Sequence, residues 1–388
     1  MYKQHYRHFL AANAGRQHYA CHSHHYWPDV TRQAQLDYWD DTARYVDEKW
    51  SHFFAEKVPR VQRRIADILR LPEPAQIAFA PNTHEFVLRL LSCLPVDRVP
   101  RILSSDGEFH SFHRQLQRLE EEGLVRITRV PCEPFADFDD RFAAEAARGG
   151  WDLVFISQVF FNSGVPVQDL ERLVGAVPDD QALICIDGYH GFGAVPTDLS
   201  RIAHRAFYLA GSYKYAQGGE GCCFLAVPPG CELRPRNTGW YAEFGALHQA
   251  RSQQVPYAPD GMRFAGATFD MSALYRLLAV LDWWQRDGIT VEAIHRHVQQ
   301  LQQAFLAQLD DIGSAHLHRD LLLSRDLGHH GHFLTFRLES PEATAALAAF
   351  LAGHGIQTDF RGDRLRFGFA LYHEPADIDL GCLKGYRG

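Results

Sequence analysis

Ala182-Leu-Ile-Cys-Ile-Asp187-Gly-Tyr-His190 and Ala206-Phe-Tyr-Leu-Ala-Gly-Ser212-Tyr-Lys214-Tyr215 are two apolar runs that each lead into charged or hydrogen-bonding side chains. A short, continuous apolar run of this kind reads as a strand buried on both faces. Working outward, similar runs recur as IAFA (77–80), RILSSD (101–106), LVRITRV (124–130), DLVFIS (152–157) and CCFLAV (222–227), with helical stretches among them. Buried strands alternating with helices imply a mostly parallel sheet covered on both faces, and so an α/β domain of roughly 200 residues.

Residues 1–28 read as an irregular arm that ends at the turn-like Trp27-Pro28-Asp29. From Val30 to about Leu71 the pattern is long and helical, with Tyr38, Ala43, Trp50 and Phe53 among its apolar positions. Beyond Pro228, a loop-rich segment around 229–268 leads into helical runs at Ser272–Trp284 and Val291–Leu309. The tail reads strand (HFLTFRL, 332–338), helix (ATAALAAFLAGHG, 343–355) and strand (RLRFGFAL, 364–371). Ser340-Pro341-Glu342 marks the start of that helix and Gly355 its stop. The expected division is an arm over 1–28, a large domain over 29–270, and a long helix with a small α+β domain over 271–388. No internal repeat or low-complexity segment occurs.

Of the 388 residues, 46% are hydrophobic and 12% aromatic, enough for a large core. The formal charge of -8 gives nucleic-acid binding no electrostatic support. There is no apolar run of about 18 residues, so no membrane span is expected. The first residues lack a sustained apolar segment before a cleavage site, so a cytoplasmic protein is expected. Eight cysteines are scattered without a CxxC and read mostly as buried, inert thiols. His18, His22, His24 and His25 cluster near the start, and His329, His330 and His332 lie in a GHHGH stretch. Without a carboxylate or cysteine at ligand spacing, these read as polar loop histidines and no metal is expected.

The chemistry centres on Asp187-Gly-Tyr-His190 and Ser212-Tyr213-Lys214-Tyr215, followed by Gly218-Gly219-Glu220-Gly221. A lone aspartate at a strand end is often a helix cap, and a lone lysine is usually a surface charge. Together, at the ends of adjacent buried strands, they suit pyridoxal 5'-phosphate (PLP). The aspartate would keep the pyridine nitrogen protonated, which makes the ring an electron sink. The lysine would hold the cofactor as a Schiff base and later act as general base.

With those residues in view, the chain resembles class V aminotransferase-fold PLP enzymes, and among them kynureninase most, over roughly residues 76–378. The resemblance implies the aspartate-aminotransferase-type fold, with a large mostly parallel-sheet domain and a small α+β C-terminal domain. SYKY (212–215) resembles the kynureninase lysine motif, and Asp187 with His190 matches its D-x-x-H motif. Asn82 and Thr83 occupy the phosphate-binding positions ahead of a helix N-terminus. Phe109 matches the ring that stacks on the pyridine, and Ser157 a position lining the pocket. The resemblance implies that Tyr213 reaches the phosphate and takes part in proton transfer. Trp240 and Thr268 match positions that complete the pocket of the other subunit, implying a homodimer with shared sites. Arg366 matches the arginine that grips the α-carboxylate of an amino-acid substrate, with Arg361 and Arg364 as nearby alternatives.

Two departures bear on the reaction. Phe160 stands where cysteine desulfurases carry an asparagine. The chain also has no cysteine between Cys231 and Cys382, where a persulfide-forming cysteine belongs. The expected reaction runs through an external aldimine and quinonoid to kynureninase-like Cβ–Cγ hydrolysis. The alternatives are an aminotransferase, a β-elimination lyase, and a PLP-binding protein without turnover.

Overall fold

The computed structural model describes residues 2–246 and 253–388. The seven apolar runs form one sheet: β1 (Ile77–Ala80), β2 (Arg101–Ser105), β3 (Arg126–Val130), β4 (Leu153–Ser157), β5 (Leu183–Asp187), β6 (Phe207–Gly211) and β7 (Cys223–Ala226). Their spatial order is β1-β7-β6-β5-β4-β2-β3. Only β7 is antiparallel, to both its neighbours β1 and β6. The carboxyl ends of the other strands therefore open on one edge. Every residue of β4 and β6 is buried, which is why neither run alternates. β3 lies at the sheet edge, and its exposed Arg126 and half-buried Arg129 are charges of the kind that discourage further pairing there.

The helix expected from Val30 to about Leu71 is interrupted. It runs over Val30–Tyr45, breaks at Val46 (φ 43°), and resumes as Val58–Leu69 after a wide turn at Phe53–Lys57. Positive φ is costly for a β-branched residue. The break is invisible in the periodicity because Trp50 and Phe53 return the chain to the core.

The C-terminal lobe holds β8 (Phe333–Arg337), β9 (Asp359–Arg361) and β10 (Arg364–Gly368), antiparallel in the order β9-β10-β8. The helices Val291–Ile312 and Pro341–Gly353 supply Leu301, Phe305 and Leu347 to a core shared with Phe336 and Phe367. Ser340 starts the second of them, its hydroxyl accepting from the Ala343 amide at 3.2 Å. β9 was not expected, because Asp-Phe-Arg carries no apolar run.

The arm differs most from expectation. It contains a helix at Arg7–Ala12, and Gln17–His18 pairs in parallel with Ile356–Gln357. Tyr19 enters the core of the C-terminal lobe, while Tyr6 and Tyr26 enter that of the large sheet. His18, His22, His25, His330 and His332 are buried rather than loop side chains. Among the described residues, no group of three or more His, Cys, Asp or Glu could hold a metal ion. No helix among them is long and apolar enough to cross a membrane.

Candidate active site

In an open parallel sheet the functional cleft lies beyond the carboxyl ends of the strands. Asp187 closes β5 and is paired in register with Ser157, which closes β4. The chain after β6 supplies Tyr213 and Lys214, β1 leads to Thr83, and β2 leads to Phe109. With Tyr189 and His190, these side chains line one cavity of about 50 Å³.

Within it, Lys214 Nζ lies 2.5 Å from His190 Nε2. Burial pulls the Lys214 amine down to about 7, against the pull of Asp187 in the other direction. Burial, with Lys214 beside it, holds His190 well below its ordinary value, which favours the neutral ring beside the amine. Its Nδ1 is buried without a partner. Burial lifts Asp187 to about 6, opposed by the Tyr189 amide, which donates to Oδ1 at 2.9 Å. The Phe109 and Tyr189 ring centroids each lie 5.2 Å from Lys214 Nζ, and that of Tyr213 lies at 5.8 Å.

The remaining expected residues divide. Thr83 faces the cavity, whereas Asn82 is the exposed N-cap of Thr83–Leu91, its Oδ1 accepting from the Glu85 amide at 3.0 Å. The amides of that first turn belong to a helix N-terminus, the kind of site that suits an anion. Trp240 and Thr268 are brought together, Trp240 Nε1 donating to Thr268 Oγ1 at 3.1 Å. They pack beside Trp50 and Tyr241 and do not line the cavity. Phe160 is buried against Phe138, so its side chain is a core residue.

The three arginines are in different states. Arg366 is buried, with Nη2 2.5 Å from Asp359 Oδ2 and Nη1 donating to the Phe161 carbonyl at 2.7 Å. Arg364 pairs with Glu133 at 2.5 Å. Arg361 is exposed and donates to His110 Nε2 at 2.8 Å.

Sequence reasoning missed three residues. Glu108 is fully enclosed, accepting from Ser105 Oγ at 2.6 Å and from Ser157 Oγ at 2.6 Å. Burial lifts its carboxyl to about 7, with Asp187 adding to the rise. In Ser-Ser-Asp-Gly-Glu it looks like one more loop charge. Tyr189 lines the cavity from within the quoted D-x-x-H motif. His22 reaches the site from the arm, a long-range contact with no local signal.

A buried amine of lowered pKa, a carboxylate on a neighbouring strand end, flanking rings and a helix N-terminus fit an aldehyde-bearing pyridine phosphate. In such a fit Asp187 would partner the ring nitrogen and Lys214 the carbonyl carbon.

Comparison with known proteins agrees with that chemistry. The aminotransferase class V family model matches residues 28–379. A probable cysteine desulfurase of Vibrio cholerae serotype O1 is 22% identical over 291 residues, 72% of this chain and 68% of that protein. The cystine C–S lyase C-DES, solved with its reaction product cysteine persulfide, superposes with a TM-score of 0.77 at 20% identity, over 94% of this chain and 95% of that one. A C-DES mutant carrying glycine covalently linked to its PLP cofactor gives a TM-score of 0.79 at 20% identity, with the same coverage. The apo cysteine desulfurase of Thermococcus onnurineus NA1 gives 0.75 at 18% identity, over 95% and 94%. At such identities the structural likeness shows the fold, which is that of the PLP-dependent transferases. The chain belongs to the class V aminotransferase family, and its cofactor is pyridoxal 5'-phosphate.

Proposed function

We propose that this enzyme is a β-elimination lyase that breaks a Cβ–S bond in a sulfur-bearing amino acid. The kynureninase-like specificity expected from SYKY and Phe109 finds no support in the relatives above, whose names are those of desulfurases and a C–S lyase. The observation that carries the proposal is the low-pKa Lys214 amine, hydrogen-bonded to a neutral histidine and enclosed with Asp187. Such an amine is poised to take a proton at neutral pH. The absence of any cysteine between Cys231 and Cys382 favours release of sulfur to solution over transfer to a protein thiol.

In this reading Asp187 would partner the ring nitrogen, Thr83 and the helix amides would hold the phosphate, and Phe109 would lie against the ring. The bound cofactor supplies an electron sink. Lys214 Nζ removes the proton from the substrate Cα, and His190 holds that amine in place. Arg366 receives the α-carboxylate. The electron pair left at Cα expels the β-sulfur, and water then yields a keto acid and ammonia. Trp240 and Thr268 lie outside their own chain's cavity, which supports the further reading that they serve a second subunit in a homodimer. Sedimentation would read that state directly.

The test is to incubate the PLP-loaded protein with cystine, cysteine and kynurenine. Keto acid, ammonia and a sulfur product from the first two support the lyase. Alanine with an aromatic acid from kynurenine alone would replace it by the hydrolase.

A further inference from the structure

The arginine assigned to the substrate carboxylate already holds a carboxylate. Asp359 and Arg366 are register partners across β9 and β10, so their side chains leave the same face. Arg366 spends Nη2 on Asp359 and Nη1 on the Phe161 carbonyl, while its buried Nε has no partner. Asp359 is in turn held from the arm. Ser23 Oγ donates to Asp359 Oδ2, the same oxygen that Arg366 uses. His22 Nε2 lies 3.5 Å from that oxygen, its ring stacked on Phe333 with 4.7 Å between centroids. Both His22 ring nitrogens are buried without a hydrogen-bond partner.

The arm reaches this point through a built contact. The Gly368 amide donates to the Tyr19 carbonyl at 2.6 Å. A Cβ on Gly368 would meet His22 Nδ1 and Cys21 Sγ, so only glycine lets the arm lie against β10 here.

A guanidinium this buried needs a counter-ion whenever substrate is absent, because an unpaired buried charge is strongly destabilising. Resting on the proposed binding of an amino-acid carboxylate at Arg366, we propose that Asp359 is the resident counter-ion of Arg366, pinned by Ser23 of the arm with His22 packed beside it, and that the substrate carboxylate binds by displacing it. Substrate binding then exchanges one carboxylate for another. The arginine contributes orientation while adding little net affinity, and selection falls to the substrate's side chain. Asp359 is thus a positioning and selectivity residue, and the arm forms part of the substrate site.

The test uses PLP-loaded protein titrated with L-alanine and L-serine, and with ethylamine and ethanolamine, which lack the carboxylate. Binding is read from the cofactor's absorbance, which requires no bond cleavage. A protein that binds these ligands but cleaves no C–S bond therefore defeats the proposed lyase and leaves this test intact. Asp359→Asn removes the competing charge. It is expected to tighten both amino acids about tenfold while leaving the amines within about twofold. Ser23→Ala, which frees the Asp359 carboxylate without removing it, is expected to tighten the amino acids by about two- to threefold. Unchanged or weaker amino-acid binding in Asp359→Asn, or weakening of acids and amines together, overturns the proposal. A residue that merely kept Arg366 in shape would give that second pattern.

Discussion

Lys214 Nζ and His190 Nε2 stand 2.5 Å apart, both buried, and among the described residues no acidic group is hydrogen-bonded to either. An amine paired with a neutral ring lacks the charge partner that would keep it protonated. Burial therefore decides its state, with Asp187 as the main opposing influence. This pair carries the acid–base reading of the site, because a buried amine beside a neutral ring has little reason to stay protonated.

The first prediction concerns cofactor capture. An unprotonated amine is the nucleophile toward an aldehyde. With its pKa lowered to about 7, Lys214 loses its proton as pH rises through that value. The rate of Schiff-base formation in the unloaded protein should rise through pH 7 and level off above it. Stopped-flow absorbance across pH 6 to about 10 measures this. A rate still climbing towards pH 10 would show an ordinary, solvated lysine.

A second prediction separates holding the cofactor from using it. Asp187→Asn preserves the shape of the site and removes the charge opposite the ring nitrogen. Turnover should fall by about a thousandfold or more, while the Schiff-base absorbance survives. Lys214→Ala should lose both. Parallel measurement of kcat and the visible spectrum distinguishes the two.

The strands and the arrival of Thr83, Phe109, Ser157, Asp187, His190, Tyr213 and Lys214 at one cavity were legible because each is local. An apolar run ends, and the next polar side chain is delivered to the cleft. β9 and the role of the arm were not. Asp-Phe-Arg at 359–361 becomes a strand only by pairing with β10. His22 becomes a site residue only because Gly368 lets the arm approach. Both depend on contacts between residues more than three hundred positions apart or on a partner strand, and no window of sequence contains them. Glu108 was missed for a different reason. Its burial follows from two serine hydroxyls on adjacent strand ends, and the sequence around it reads as a turn.

A third prediction follows from that approach. Gly368→Val adds atoms where His22 and Cys21 already lie. The arm must shift, at an overpacking cost of about 1–3 kcal/mol. Limited proteolysis should then cut within residues 13–29 faster than in the parent. The helix Phe138–Ala146, which packs against the edge strand β3 of the large sheet, should remain uncut. Unchanged cleavage would mean that the arm is held mainly through Tyr6 and Tyr26.

The last prediction concerns acid stability. Burial lowers His22, His25 and His373 to about 3, and His18 and His330 to about 4. In the unfolded chain these rings titrate near 6.5. The folded state therefore resists a proton that the unfolded state takes up. The stability is intact above pH 6.5 and is lost as pH falls from there towards 4. Glu108 and Asp187 act in the opposite sense. Burial raises them to about 7 and about 6, so their contribution grows as pH falls through those values. Being fewer, they offset only part of the loss. The melting temperature should fall steadily between pH 6.5 and 4, as followed by tryptophan fluorescence. His373 gives a way to assign the effect, since its Nδ1 accepts from the Ala370 amide at 3.1 Å and its Nε2 has no partner. Asparagine at that position offers an acceptor oxygen and cannot titrate. His373→Asn should make the melting temperature less steep in this pH range. An unchanged slope would move the acid sensitivity to the carboxylates.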